Sequence, residues 1–377
     1  MTPDRDAIIV GAGPAGSAAA AALAGAGRDV LVLEKDRFPR RKVCGEFLSG
    51  SARESLARLD ALVGVANEAA PIERGSVHLQ NGKTVAFELP APGFGISRAR
   101  LDDLLARRAA DLGAEVRFGT RVLSVEAAPD GLVRVRAAAT GVAEEILTAR
   151  SIVGAWGRWD ALDRTMGRRF LGGRRRFLGW SRDFEGADAA HAREVRLYLF
   201  PGGYCGLSRV EHAAEHLAGV ISERVRRTLG PGWEAVVAHA RRANRDLDRD
   251  LSTLREGRDG FLGTGSVFFT AKPPVEGGAL MAGDAAGVID PFSGEGLAGA
   301  LASGLLAADS IELGLSGRIA MEEVPSAYAL AWRRRFAARL GWGAAFRGLM
   351  LHPAAASLAA RLGGERLVRL ALGQLGS

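Results

Sequence analysis

The sequence predicts an α/β protein, with a mostly parallel, helix-covered sheet interrupted by a second, mixed sheet. Three features of the pattern carry this. An apolar run at residues 7–10 passes through a glycine-rich turn into an alanine-rich stretch to residue 26, and a second apolar run follows at 30–33. Between residues 75 and 270 many apolar positions alternate with period two instead. A short buried-type run returns at 279–282, ahead of a small-residue helix at 296–313.

Each element has a local reason. Ala7-Ile8-Ile9-Val10 is apolar on both faces, as a central parallel strand must be, and residues 14–26 supply the alanine-rich crossover helix that Gly27 ends. Residues 30–33, closing with Glu34, complete a right-handed βαβ unit. Asn81-Gly82 marks a tight hairpin turn within residues 75–87. Helical spacing returns at 98–112, alternating strands follow at 115–125 and 132–137, and an apolar strand lies at 151–154. Strand-like segments at 177–184, 195–200, 217–222 and 265–269 build the second sheet, with a charged helical stretch before the last. The first domain is therefore expected to be discontinuous, from residues 1–74, 95–164 and 271–320. The sheet domain takes 75–94 and 165–270, and a basic helical segment occupies 321–377.

The chain has 377 residues, 47% of them hydrophobic, enough to bury the cores of two domains. Its net charge of +7 resides mainly in arginine, but acids interleave with the arginines through 222–258, so no nucleic-acid partner is expected. Two cysteines, Cys44 and Cys205, argue against a secreted disulfide scaffold. Residues 2–6 lead straight into a strand, and no apolar run approaches the ~18 residues of a membrane span. The expectation is a cytoplasmic protein with at most peripheral membrane contact.

Gly11-Ala12-Gly13-Pro14-Ala15-Gly16 follows a strand and opens a helix. Gly11 permits the sharp turn, Gly13 lets backbone reach a pyrophosphate, and Gly16 lets helix and strand pack closely. Pro14 and Ala15 begin the helix whose N-terminus faces the phosphates. Glu34, about 20 residues on, is placed for ribose hydroxyls, with Lys35 beside it. Its charge disfavours a 2′-phosphate and points to FAD or NAD. Gly283-Asp284-Ala285-Ala286-Gly287, followed by Asp290-Pro291-Phe292-Ser293-Gly294-Glu295-Gly296, decides for FAD. Asp284 would accept from the ribityl chain, Gly294 belongs to the loop before the next helix, and the Gly296 and Leu297 amides would face the flavin N1 and C2 carbonyl. A positive helix end there stabilises reduced flavin.

Together, residues 11–16, Ile96-Ser97-Arg98 with Leu101-Asp102, and residues 283–296 resemble the para-hydroxybenzoate hydroxylase-fold flavoproteins. Lys42-Val43-Cys44-Gly45 and Tyr198-Leu199-Phe200-Pro201 are similar to the geranylgeranyl reductase-like branch, whose members carry a Cys-Gly pair by the flavin and a Tyr-x-Trp-x-Phe-Pro motif. The likeness covers residues 6–330. It implies a Rossmann-type FAD-binding domain with an inserted mixed-sheet substrate domain. It also implies Arg98 at the FAD phosphate or ribityl region, Val122 holding adenine through its backbone, and Arg41 and Gly45 at the cofactor. Two departures matter. The second motif lacks its tryptophan, which argues against a long isoprenoid substrate. The Asp-Gly pair of the hydroxylases is replaced in Gly154-Ala155-Trp156-Gly157-Arg158, which argues against efficient direct reduction by NADPH. NAD(P)H remains the expected electron donor, docking transiently because there is no second GxGxxG. The Trp-x-Trp-x-Ile-Pro element of the tryptophan halogenases is absent, which argues against halogenation.

Cys44 follows a basic run at 37–42, whose cations would favour its thiolate, and Cys205 lies in the glycine-rich corner Pro201-Gly202-Gly203-Tyr204-Cys205-Gly206. Cys44, Tyr204, Cys205 and Phe292 are the residues expected at the reacting centre, with plain core packing as the alternative for both thiols. His212-Ala213-Ala214-Glu215-His216 has the inverted zinc-protease spacing but no third ligand, reads as a chance surface pair, and predicts no metal. Residues 331–377 hold eight arginines against the single acid Glu365, and read as basic amphipathic helices that cap the first domain or graze an anionic membrane. The expected function is an FAD-dependent oxidoreductase acting on a small, largely apolar molecule, free or carrier-bound. Hydroxylation through a C4a-peroxyflavin leads. Reduction of carbon–carbon double bonds, with Cys44 as proton donor, is the alternative, and a non-catalytic flavin-binding protein is a second one.

Overall fold

The computed structural model describes residues 2–350 apart from 129, 159, 173–176, 187–188 and 270–271. Across the first sheet the strands run Val275–Glu276, Ala279–Met281, Glu145–Gly154, Arg5–Val10, Val30–Glu34 and Glu115–Phe118. The pairings from Ala279–Met281 to Glu115–Phe118 are all parallel. Thr120–Ala127 and Val133–Ala139 extend Glu145–Gly154 by antiparallel pairing. Ile8, Ile9, Leu31, Leu33, Ile152 and Val153 are buried, as strands in the middle of a parallel sheet demand.

Helix Pro14–Gly25 lies against helix Gly296–Leu315, and glycines allow the approach. A Cβ on Gly16 would lie 1.8 Å from the Gly11 carbonyl oxygen, and one on Gly304 would lie 2.1 Å from that of Ala15. Contrary to the sequence expectation, one helix among the described residues, Gly296–Leu315, has the length and composition of a membrane span, with mean hydropathy 1.3. Its most apolar stretch is 67% buried, so it serves as a core helix. The helix Val324–Met350 brings Tyr328, Trp332 and Phe336 into the same core and leaves Arg333, Arg334 and Arg335 exposed. Its first turns thus cap the first domain. The remainder of the expectation, for residues 351–377, lies outside the described residues.

The second sheet runs Arg255–Glu256, Phe177–Glu185, Glu215–Ser222, Gly203–Arg209, Glu194–Phe200, Ala70–His78, Thr84–Gly95 and Phe47–Leu48, with Leu262–Val267 also on Phe177–Glu185. It reaches further than expected. The hairpin begins at Ala70 rather than residue 75, and Phe47–Leu48 pairs with Phe94 and Gly95, so chain assigned to the first domain helps to build this sheet. Strand Gly203–Arg209 was not foreseen, because its glycines at 203 and 206 weaken the strand signal. One face of the sheet buries Trp180, Tyr198, Phe200, Cys205 and Leu207 against Val236, Ala240, Leu247 and Leu251 of helices Glu234–Ala243 and Arg245–Ser252. The other face turns toward the first domain.

Candidate active site

A cavity of about 840 Å³ opens between the two sheets. Of the residues singled out from the sequence, Gly11, Gly13, Pro14, Ala15, Glu34, Lys35, Arg41, Cys44, Gly45, Arg98, Val122, Tyr204, Gly283, Asp284, Phe292, Gly294, Gly296 and Leu297 line it, and Gly16 and Cys205 do not.

At one end the wall is backbone and cations. Gly11 holds φ +101°, and a Cβ there would strike the Ala155 carbonyl oxygen at 2.6 Å. Gly13 is the N-cap of Pro14–Gly25 and no side chain caps that helix, so its first amides remain available to an acceptor. Glu34 is buried and oriented by the Ala12 amide at 2.8 Å and the Asp36 amide at 2.9 Å. Arg98 donates from Nε and Nη2 to both oxygens of Asp102, each at 2.7 Å, and its Nη2 lies 3.6 Å from where a Gly13 Cβ would sit. Burial works against the Arg98 charge, but Asp102 outweighs it and raises the guanidinium pKa. Arg40, not anticipated from the sequence, shares Asp102 at 2.7 Å. Burial, reinforced by Arg40 and Arg98, pushes Lys42 down to about 8. Three cations thus converge where a diphosphate needs them. The register between the Thr120–Ala127 and Val133–Ala139 strands shifts between Val122 and Ser124, interrupting the ladder beside the Val122 backbone. Arg41 reaches the cavity, but its Nη2 is engaged by Asp183 at 2.9 Å, and Lys35 is paired with Asp160.

At the head of Gly296–Leu315 there is again no side-chain cap, and a Cβ on Gly296 would meet nothing within 4 Å, which leaves backbone amides facing open space. Gly294 holds φ +69°, where a Cβ would strike the Phe47 ring at 2.6 Å. Asp284 lies 3.9 Å from Arg158, and its carbonyl accepts from Lys272 Nζ at 2.7 Å. Burial lowers Lys272 to about 8. Two uncapped helix heads, an oriented carboxylate and a cation cluster in one cavity fit FAD. Glu34 would hold its ribose, Arg98 its phosphates, and Gly296 with Leu297 its ring.

The other end is apolar. Along Gly203–Arg209, Tyr204, Gly206 and Ser208 face the cavity, while Cys205 and Leu207 face the opposite core. Tyr204 donates to Asp290 Oδ1 at 2.7 Å and meets the Phe292 ring edge-on at 5.5 Å. Phe87, Leu89, Leu197 and Val220 complete this wall. Trp156 lines the cavity in place of the hydroxylase acid and donates from Nε1 to Asp163 at 3.1 Å.

Three expectations need correction. Cys205 is not at the reacting centre, because strand alternation turns it into the core, where burial raises its thiol pKa. Cys44 is not held as thiolate. Burial outweighs the nearby Arg98 and Arg158 charges and raises its pKa, although the Glu46 amide donates to Sγ at 3.4 Å. His212 and His216 are not a surface pair. His212 sits in an exposed turn with φ +56°, whereas His216 is buried, bonded to Asp183 and donating to the Cys44 carbonyl at 2.8 Å.

Fold and cavity together define a dinucleotide-binding flavoprotein. Residues 4–193 match the FAD-binding domain family, and the chain belongs to it as an FAD-dependent oxidoreductase. It is 30% identical to a menaquinone reductase of Mycolicibacterium smegmatis, over 83% of this chain and 78% of that one. It is 26% identical to a digeranylgeranylglycerophospholipid reductase of Methanothrix thermoacetophila, over 87% of this chain and 83% of that one. Among solved structures, a flavin-dependent brominase superposes with TM-score 0.83 at 20% identity, covering 99% of this chain and 93% of its own. A geranylgeranyl bacteriochlorophyll reductase-like protein of Thermoplasma acidophilum superposes with TM-score 0.77 at 21% identity, covering 98% and 91%. At those identities the superpositions establish a shared fold.

Proposed function

We propose that this flavoenzyme reduces a carbon–carbon double bond in an apolar substrate lying against Phe292, Tyr204 and Leu197. The observation that carries the reading is the Cys44 thiol on the cavity wall, where burial raises its pKa. FAD, when bound and reduced, would supply the electron pair as hydride. Once one alkene carbon has received hydride, its neighbour must receive a proton from a positioned acid. Burial keeps Cys44 in the form that can give it, and the Arg98 and Arg158 charges favour the thiolate left behind. Tyr204, fixed by Asp290, and Phe292 exclude water and orient the substrate. The two reductases above, similar to this chain over most of their lengths, support reduction over the hydroxylation that the wider superfamily suggests. NADH or NADPH is the proposed source of electrons.

The test supplies the reduced protein with prenylated quinones in deuterated water and follows product mass. Reduction saturates a double bond and places solvent-derived deuterium on the product, and Cys44→Ser slows turnover at least ~10-fold while leaving flavin content unchanged. Incorporation of an atom from labelled dioxygen, with no double bond lost, would restore hydroxylation.

A further inference from the structure

Beneath the Cys44 loop lies a charged trio that the proposed reaction does not use. His216, on strand Glu215–Ser222, sets Nδ1 against the carboxylates of Asp183 and Glu46, the latter at 3.2 Å. Its Nε2 donates to the Cys44 carbonyl at 2.8 Å. A ring that donates at Nε2 and faces two carboxylates at Nδ1 carries a proton on both nitrogens. Glu46 holds φ +53°, a conformation a non-glycine residue keeps only when its surroundings fix it. Here they do. Glu46 accepts the Arg98 amide at 3.0 Å, its carbonyl accepts the Ile96 amide at 3.0 Å, and Arg158 grips the neighbouring Val43 carbonyl at 2.6 Å.

We propose that His216 is a positioning residue: clamped as an imidazolium between Asp183 and Glu46, it fixes the Cys44 carbonyl and so holds the thiol at the cavity wall. Its catalytic consequence rests on the reading of Cys44 as proton donor, whereas the clamp rests on geometry alone. Charged groups surround the ring from each side. Glu46 and Asp183 touch it, Arg41 holds Asp183, and the Glu211 charge and the Arg98 backbone amide act on Glu46. Burial disfavours the imidazolium, yet the two carboxylates prevail and raise its pKa from the ordinary 6.5 to about 9. Because the folded value is the higher one, the clamp contributes fully below pH 6.5 and is lost as pH rises through about 9. The same ligand atoms lie within 4.8 Å of one another, a spacing that a metal ion accepts, but the imidazolium already answers both carboxylates.

The experiment measures alkylation of Cys44 by iodoacetamide in the FAD-loaded protein, by peptide mass, from about pH 6 to 10. His216→Ala is expected to raise the neutral-pH rate about 10-fold by releasing the loop. His216→Gln, which keeps a donor for the Cys44 carbonyl, recovers part of that protection, and the ratio of the parent's rate to the rate of this variant, from which the ionisation of Cys44 itself cancels, changes as pH rises through about 9. A folded His216→Ala protein with the parent rate and profile overturns the proposal. Should that variant lose its flavin, Asp183→Asn decides: removing one carboxylate moves the change in the rate ratio, taken against His216→Gln, to lower pH, and an unmoved change overturns the clamp. Alkylation reads loop geometry and not turnover, so a failed clamp leaves alkene reduction standing, and failed reduction leaves the clamp standing.

Discussion

Near Gly11 and Arg98 the cavity wall consists of backbone and guanidinium groups, whereas near Tyr204 and Phe292 it consists of side chains from several strands of the second sheet and the loop before Gly296–Leu315. The difference teaches what each end can tolerate. The backbone cradle fails when a Cβ is added at Gly11, or at Gly16 behind it, because clearances of 2.6 and 1.8 Å have no alternative packing. A side-chain wall can be re-cut one residue at a time, which is how one scaffold serves several substrates.

The contrast breaks most sharply at Gly16. Gly16→Leu would drive its side chain into the Gly11 carbonyl, and a loss exceeding ~3 kcal/mol, with no flavin retained, should appear in thermal melts and absorbance. Arg98→Ala comes next. It leaves Asp102 with Arg40 alone, and FAD affinity measured by fluorescence titration should fall by about 2–3 kcal/mol. If stability fell but affinity did not, the cation cluster would be structural. Tyr204→Phe removes the bond to Asp290 at a cost of ~1 kcal/mol, and should raise KM while leaving flavin content alone. A fall in FAD affinity instead would erase the division between the two ends. Cys205→Ala should have the smallest effect, about 1 kcal/mol in stability with turnover unchanged; altered turnover would return Cys205 to the reacting centre.

The cofactor end was legible in sequence because its requirements are covalent. Positive φ and absent Cβ atoms call for glycine, and the spacing from Gly11 to Glu34 follows the length of one βαβ unit. The substrate end was legible only in part. Tyr204 and Cys205 were grouped because they are adjacent, and the two-residue period that separates them was hidden by the glycines of an unrecognised strand. His216 was misread for a related reason. A histidine in an alternating segment carries no sign of which face it takes, and its partners, Asp183 and Glu46, come from distant parts of the chain. The Cys44 thiol was misassigned because charge is visible in a sequence whereas burial is not, and burial prevails here.

The first sheet spans the chain from Arg5 to Met281 and is covered by a helix ending at Leu315. On the ribosome, at about 5–20 residues per second, the Val153–Gly154 end of the Glu145–Gly154 strand must therefore wait unpaired on one side while everything up to Ala279–Met281 is made. The inserted sheet has all its strands by Val267 and can close during that interval. Birth order is thus inverted, the guest domain becoming complete before its host, and the cradle at Gly11, though among the first residues translated, gains its Gly296 wall among the last.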